Sequence, residues 1–330
     1  MMEIVTHKKC RLCGSDNFEE IHSFGNLYVS NFVEQDKISD GVKAPLDLVM
    51  CANCSLIQLR HTAPMELMYA RYYWYRSGVT DTMRNALRDI SSTIENMVEL
   101  KEGDTVLDIG ANDGTLLASY SVDGLHTVGC EPADNLIKYL DDNARHVIHD
   151  FWTLENYQSL ADKNGFGKAK AITAIGMFYD LEDPNQFIAD AQKVLAEDGI
   201  FVAQLMCLSS MLETNDLGNV CHEHLEFYSL DSLKYLFETN GLEMFKIEKN
   251  DINGGSYRIY ARHYKGTGID FEEHYTPGDL KAFVERVDEN RSKCVDFIKR
   301  EIAKEKTVYI YGASTKGNTI LQYYGLDASH

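Results

Sequence analysis

The stretch Val106-Leu107-Asp108-Ile109-Gly110-Ala111-Asn112-Asp113-Gly114 constrains the fold of this chain more than any other. Its apolar first half reads as a buried strand, its glycines as a tight turn, and Thr115-Leu116-Leu117 as the start of a helix. Downstream, Val128-Gly129-Cys130-Glu131-Pro132 reads as a second strand tipped by an acid. A strand, a tight turn onto a helix N-terminus and an acid on the next strand tip make a nucleoside-sized pocket. The rest of the centre follows the same alternation. Strands are expected over His146–Phe151, Ala169–Met177 and Ile200–Leu205, with helices over Asn135–Asp142, Asp183–Leu195 and Leu230–Asn240. Met244–Lys249 and Ser256–His263 read as strands paired around Asn253-Gly254-Gly255. Ahead of the opening strand, Thr80–Leu100 has helical periodicity through Met83, Leu87, Ile90, Ile94, Met97 and Val98. The fold class is α/β, built on an open, mostly parallel, Rossmann-like sheet.

The turn also discriminates between cofactors. It has the pattern G-x-N-x-G, with Gly110, Asn112 and Gly114. A dinucleotide turn, G-x-G-x-x-G, uses its second glycine to let a pyrophosphate approach the backbone. Here that position is Asn112, and Asp108 sits just before the turn. An acid there suits a cationic amino-acid tail better than a pyrophosphate. S-Adenosylmethionine has a sulfonium, an amino group and no phosphate. Glu131 then holds the ribose hydroxyls, Asp150 accepts from the adenine amine, and Phe151 packs on the ring. NAD is the alternative, because Glu131 would serve its ribose equally well. The plainer readings are Phe151 as core and Asp150 as a helix cap.

The chain has 330 residues, enough for about two or three domains. Its net charge of -19 disfavours nucleic acid as a substrate. No apolar run is long enough to span a membrane, and residues 1–9 lack the apolar core of a signal peptide, so a cytoplasmic location is expected. Four of the eight cysteines form two C-x-x-C knuckles, Cys10/Cys13 and Cys51/Cys54. Two knuckles close a tetrahedral four-thiolate site, and in a reducing compartment this reads as structural zinc. A redox dithiol would normally open a helix, whereas these follow strand-like segments. Val49-Met50 and Leu56-Ile57-Gln58-Leu59 look like hairpin strands holding the second knuckle. A complete thiolate set leaves no open position, so this zinc is not expected to be catalytic.

Three further segments can carry chemistry. Residues 65–76 are rich in aromatics, Tyr69, Tyr72, Tyr73, Trp74 and Tyr75, which taken alone read as packing. His222-Glu223-His224 lies in the connection after the fifth strand, at the end of the sheet where ligands sit. On an extended segment His222 and His224 would share a face and Glu223 the other. A histidine base fits better than a metal site, and a structural histidine is the plain alternative. Asn253 to Arg258 and Gly312 to Gly317 are small-residue turns beside the cations Arg258 and Lys316, and both can receive a phosphate. The first also reads as a simple hairpin turn and the second as an ordinary strand-to-helix turn. Thr276–Lys306 is expected to be a long polar helix, followed by a strand over Thr307–Tyr311 and a turn into a helix. A lone strand-helix pair cannot make a sheet, so the C-terminal part reads as a truncated domain or one that borrows strands.

Taken together, these motifs resemble the sugar C-methyltransferases. The knuckles followed by Tyr72-Tyr73-Trp74-Tyr75-Arg76-Ser77 resemble that family's zinc-binding domain. The Val106–Gly110 strand, Tyr179–Pro184, His222-Glu223-His224, Gly254–Arg258 and Tyr311–Thr319 follow in the family's order. The resemblance implies a central class I methyltransferase sheet between an N-terminal zinc module and a C-terminal α/β domain. The corresponding spans are 1–75, 76–265 and 266–330. It implies methyl transfer from S-adenosylmethionine to a carbon, typically C-3, beside the ketone of a dTDP- or GDP-linked 4-keto-deoxy sugar. His224 would be the base, with Glu223 and Tyr73, Tyr75 or Tyr228 assisting. Arg258, Ser256, Lys316 and His222 would face the substrate. The family has tyrosine where this chain has Cys221, and often histidine where it has Asp180. The rival readings are an NAD-dependent sugar-nucleotide oxidoreductase or epimerase, and a non-catalytic zinc scaffold.

Overall fold

The computed structural model describes residues 4–30, 33, 35–64, 68, 73–271, 273–312 and 314–327. They group into two compact units. One comprises Met1–Met68, Cys207–Ser232 and Glu273–His330, and the other Tyr69–Met206 and Leu233–Glu272. The units therefore interleave along the chain.

The larger unit is built on seven strands: β6 (Thr105–Ile109), β7 (His126–Cys130), β8 (His146–Ile148), β9 (Ala169–Ile175), β10 (Leu195–Met206), β12 (Leu242–Asn250) and β13 (Ser256–His263). Their order across the sheet is β12-β13-β10-β9-β6-β7-β8. β6 to β10 are parallel to one another, and β13 runs antiparallel to both β10 and β12. Every residue of β6 is buried, as expected of a central strand covered on both faces. From β6 the chain moves outward through β7 and β8, then returns to its other side at β9. The strand order thus reverses at β6/β9, which puts a ligand crevice beyond the carboxyl ends of these strands.

Helix α1 (Asp81–Val98) begins where the Thr80 hydroxyl accepts from the Met83 N–H, 3.3 Å away. Its Leu87, Ile90, Ile94 and Val98 recur at helical spacing and bury one face against Val106, Ile200, Val202 and Tyr260. Helices α2 (Ile137–Asn143), α3 (Leu154–Asn164), α4 (Pro184–Val194) and α6 (Leu230–Thr239) supply the remaining connections. The helix expected from Thr115 is a single 3-10 turn, Leu117–Ser119. The segment Ser121–Gly124 that follows has no apolar repeat to extend it, and it turns directly into β7.

The smaller unit has a four-stranded antiparallel sheet. Its strands are β2 (Phe18–Tyr28), β3 (Lys43–Cys51), β4 (Ile57–Leu59) and β11 (Glu226–Phe227), in the order β11-β4-β3-β2. Short strands β1 (Val5–Thr6) and β5 (His61–Thr62) pair beside it. Met50 pairs with Ile57, so β3 and β4 are the hairpin expected around the second knuckle. Helices α5 (Leu208–Thr214), α7 (Pro277–Ile302) and α8 (Thr315–Tyr324) complete the unit. α7 opens with a capping box between Thr276 and Asp279. It buries only Leu280, Phe283, Val284 and Val287, against Ile21, Phe24, Leu46 and Leu217 among others. Such burial contributes roughly 1.5–3 kcal/mol per side chain. α8 is fastened to β2: the Gln322 amide accepts from the Tyr28 N–H at 2.7 Å and donates to the Tyr28 carbonyl at 3.1 Å.

The expected strand over Thr307–Tyr311 does not form; Tyr309, Ile310 and Tyr311 are exposed. Among the described residues no strand pairs with this segment, so its backbone groups have no ladder to enter there. The helix expected after it is present as α8, with Ser314 at its N-cap. Among the described residues, no helix is long and apolar enough to cross a membrane.

Candidate active site

The turn after β6 lies at the crevice of the larger unit. Gly110 has φ +73°, and a Cβ there would lie 2.8 Å from Met177 Cγ, so the position excludes a side chain on two grounds. The N–H groups of Gly110 and Ala111 both donate to the Cys130 carbonyl, tying the turn to the tip of β7. Glu131 is buried and receives the Asn112 and Ala133 N–H groups, each at 2.9 Å. Burial raises its carboxyl above the ordinary range, and the two N–H bonds oppose that shift. Asp108 is buried on β6, and its carboxylate accepts from Thr173 Oγ1 on β9 at 2.6 Å. Desolvation pushes it up to about 7. Asp150 and Phe151 follow β8, and both are exposed. Asp150 bonds the Phe151 N–H and the Asn156 amide, while Thr153 caps α3.

The aromatic run enters this unit from Tyr73; Tyr69 and Tyr72 lie outside the described residues. Tyr73 is bound through its backbone to Asn135, and Tyr75 through its carbonyl to Asn112. Tyr75 is half-exposed, and burial of its remainder raises its phenol. Arg258, on β13, is buried, with its guanidinium bonded to Asp89 at 2.6 Å and Gln204 at 3.0 Å. Ser256 donates to the Ile252 carbonyl. Asp180 also belongs to this unit.

His222, Glu223, His224 and Tyr228 belong to the smaller unit. The His-Glu-His segment is a turn, closed by the His224 N–H on the Cys221 carbonyl, where an extended segment was expected. The two imidazoles consequently have different partners. His222 is buried and bonds the Ala44 carbonyl at 2.9 Å. His224 Nδ1 lies 2.7 Å from the Asn219 carbonyl. A carbonyl only accepts, so the His224 proton sits on Nδ1 and Nε2 is the basic nitrogen. Burial lowers the His224 pKa to about 4, opposed by the Asn219 bond; the Lys316 cation adds to the lowering and Asp216 counters it. Lys316, in the first turn of α8, bonds Asp216 at 3.3 Å. Glu223 is buried, and desolvation raises its carboxyl. Tyr228 is fully buried, and desolvation raises its phenol strongly, with Glu226, Arg11 and the Cys10 and Cys54 thiols acting on it.

The four cysteine sulfurs, Cys10, Cys13, Cys51 and Cys54, lie within 4.8 Å of one another. Close approaches run between knuckles, Cys10 to Cys54 at 3.6 Å and Cys13 to Cys51 at 3.5 Å. A redox dithiol would pair within a knuckle; four sulfurs at these separations fit a tetrahedron of bonds of about 2.3 Å around zinc. Backbone N–H groups of Leu12 and Asn53 point at Cys10 and Cys51, a second layer that suits thiolates. Arg11, inside the first knuckle, is buried and bonds Gln58, Leu59 and Thr62, with Glu226 of β11 at 3.6 Å.

A parallel sheet that reverses at its first strand, ends in an antiparallel hairpin and carries acids on successive strand tips defines a class I methyltransferase. The chain belongs to the methyltransferase domain family, whose model matches residues 82–247. A "putative zinc binding domain" matches 10–69, and a C-methyltransferase C-terminal domain matches 251–330. The protein is an S-adenosylmethionine-dependent methyltransferase with a structural zinc module, which displaces the oxidoreductase and scaffold readings. A C-methyltransferase from Streptomyces niveus, NovU, is 27% identical over 96% of this chain and 78% of its own. Among solved structures, plantazolicin methyltransferase BpumL in complex with SAH is 13% identical, over 55% of this chain and 84% of that one, at a TM-score of 0.42. Synechocystis magnesium protoporphyrin IX methyltransferase with bound SAM is 10% identical, over 56% of this chain and 82% of that one, at 0.40.

Sequence reasoning did not find Asp216 and Asn219, which attend His224, or Arg11 and Glu226 beside the knuckle. Arg11 and Glu226 meet partners far along the chain, whereas Asp216 and Asn219 lie close to His224 in sequence; no residue pattern marks any of them.

Proposed function

We propose that this enzyme methylates a carbon, C-3, next to the ketone of a dTDP- or GDP-linked 4-keto-deoxy sugar, in the formation of a branched sugar. The observation that carries the reading is the oriented, neutral His224, Nδ1 anchored on Asn219, in a chain that also holds a methyl-donor turn. A C–H beside a ketone is acidic because its charge moves to oxygen as an enolate. His224 Nε2 takes that proton. Tyr73 or Tyr75 donates to the enolate oxygen; Tyr228, fully buried beside Arg11 and the thiols, is the weaker candidate for that role. S-Adenosylmethionine supplies the electrophilic methyl group that the carbanionic carbon takes.

The turn fits that donor. Gly110 meets the turn's positive φ and its packing on Met177, Glu131 meets ribose hydroxyls, and Asp108 faces the amino-acid end. Asp150 and Phe151 meet the adenine. Lys316, at the first turn of α8, takes a phosphate of the nucleotide, with His222 and Glu223 shaping the sugar side. Arg258 and Ser256 are already engaged within β13 and its turn, and act by supporting the sheet.

The test is incubation with S-adenosylmethionine and a panel of 4-keto-sugar nucleotides, read by mass. A gain of one methylene on one of them is expected, with deuterium wash-in at the same carbon when donor is omitted. No gain on any keto sugar would sink the reading.

The His224 environment also sets a pH profile. Only the neutral imidazole can take the proton, and its pKa is lowered to about 4. Activity is therefore expected to hold steady as pH falls from 8 to about 5.5 and to drop tenfold per unit below about 4. A limb centred near the ordinary histidine value of about 6.5 would contradict the buried geometry.

A further inference from the structure

We propose that Asn112 is a positioning residue that couples occupancy of the methyl-donor turn to the ordering of Tyr73–Gly78, the segment carrying the tyrosines. The inference rests on the methyl-donor reading above.

The geometry is a short chain of bonds inside one unit. Asn112 is buried, at φ +54°. Its N–H donates to Glu131, the acid assigned to the donor ribose. Its side-chain carbonyl accepts the Ser77 N–H at 2.9 Å, and its amide donates to the Tyr75 carbonyl at 3.1 Å. One side chain thus mimics a strand partner for the segment. Its neighbour repeats the device: the Asp113 carboxylate accepts the Gly78 N–H at 2.9 Å and the Thr115 hydroxyl at 2.6 Å. A Cβ at Gly78 would sit 2.6 Å from Thr115 Oγ1 and 2.7 Å from Asp113 Oδ2, so a larger residue would have to displace these side chains from the segment. Further along, Asn135 accepts the Tyr73 N–H at 2.9 Å and returns its amide to the Tyr73 carbonyl at 3.1 Å. Arg76 stacks on Tyr139 of α2, 4.4 Å from the ring centroid.

Three polar side chains of the donor-binding loops therefore hold the segment by its backbone, while Trp74 and Tyr75 stay 65% and 47% exposed. A segment held at its backbone but exposed in its side chains has little core of its own. Its order depends on the turn beneath it. A ligand bound to Glu131 fixes the carboxylate that fixes Asn112, and through Asn112 fixes Tyr75 and Ser77. By linkage, a fixed segment tightens the donor to the same degree. This also explains why the position is asparagine: glycine would keep the positive φ but could not bridge.

Trp74 is one of two tryptophans, so Trp152→Phe gives a protein with a single reporter on the segment. In that parent, S-adenosylhomocysteine is expected to shift Trp74 emission and to protect Tyr75–Gly78 amides from exchange. Adding Asn112→Gly, which accepts the turn's φ, is expected to abolish the emission shift. It should weaken S-adenosylhomocysteine about tenfold by calorimetry and lower kcat about tenfold without raising the sugar KM. Asn112→Asp, which keeps the acceptor for Ser77 and loses the donor to Tyr75, should fall between. An emission shift and affinity in Asn112→Gly equal to those of the parent would overturn the coupling, while leaving the donor reading intact. A parent that binds no S-adenosylhomocysteine at all would remove the donor reading and the coupling with it.

Discussion

His224→Asn is expected to fold, to bind S-adenosylhomocysteine as tightly as the unaltered protein, and to lose about a thousandfold in kcat. The size follows from the role: a positioned base contributes on the order of 10²–10⁴ to a proton transfer. The selectivity follows from placement. The residues read as holding the donor, Asp108, Gly110, Asn112, Gly114 and Glu131, do not include His224, so the donor's own ligands are left in place. Asparagine keeps a donor near the Asn219 carbonyl that His224 now occupies at 2.7 Å, limiting the loss of stability. Two measurements separate base from scaffold. Calorimetry with S-adenosylhomocysteine reports the donor site, and deuterium wash-in at the sugar carbon without donor reports proton removal alone. Wash-in should vanish with turnover. Turnover near that of the unaltered protein would end the assignment of His224; wash-in that persists without turnover would move the base elsewhere and leave His224 a part in the later step.

The central sheet was legible because its information is local. Val106–Ile109, Val128–Cys130 and Ala169–Ile175 are short, apolar and bounded by turns, and each became a parallel strand at the expected place. The cysteine knuckles were legible for a different reason. Four thiols in two C-x-x-C pairs have few uses, and the sulfurs converge as a single cluster. The site was less so, because its determinants are individual hydrogen-bond partners, some near and some far along the chain, that no residue pattern announces. His222 and His224 look alike in sequence, yet one bonds Ala44 and the other Asn219. Arg258 beside a glycine turn suggested a phosphate site, but Asp89, a residue of the distant α1, takes its guanidinium. Thr307–Tyr311 has strand character, and among the described residues it has no neighbour to pair with. In each case local propensity was outweighed by a partner, or the lack of one, that periodicity does not encode.

Removing the zinc site is expected to have the largest effect on stability. Cys51→Ser should abolish bound zinc and with it the cooperative melting of the smaller unit. Structural zinc contributes about 10–16 kcal/mol of apparent free energy in small zinc modules, comparable with the whole stability of an ordinary domain at about 5–15 kcal/mol. The architecture gives this loss a direct path. Cys51 ends β3, pairs with Phe18 of β2 and closes the turn into β4, so the knuckle sets the register of the hairpin. Arg11, held inside the other knuckle, binds β4 through Leu59 and faces Glu226 on β11, two residues beyond His224. Loss of the metal therefore releases, in order, the knuckles, Arg11, β11 and the loop that orients the base. Activity should disappear although no zinc ligand touches a reacting atom. Metal analysis, a thermal melt and deuterium wash-in on the same sample check the sequence of events. A zinc-free protein that melts cooperatively at an unchanged temperature and still exchanges the sugar proton would show that the thiols, not the metal, hold this unit together.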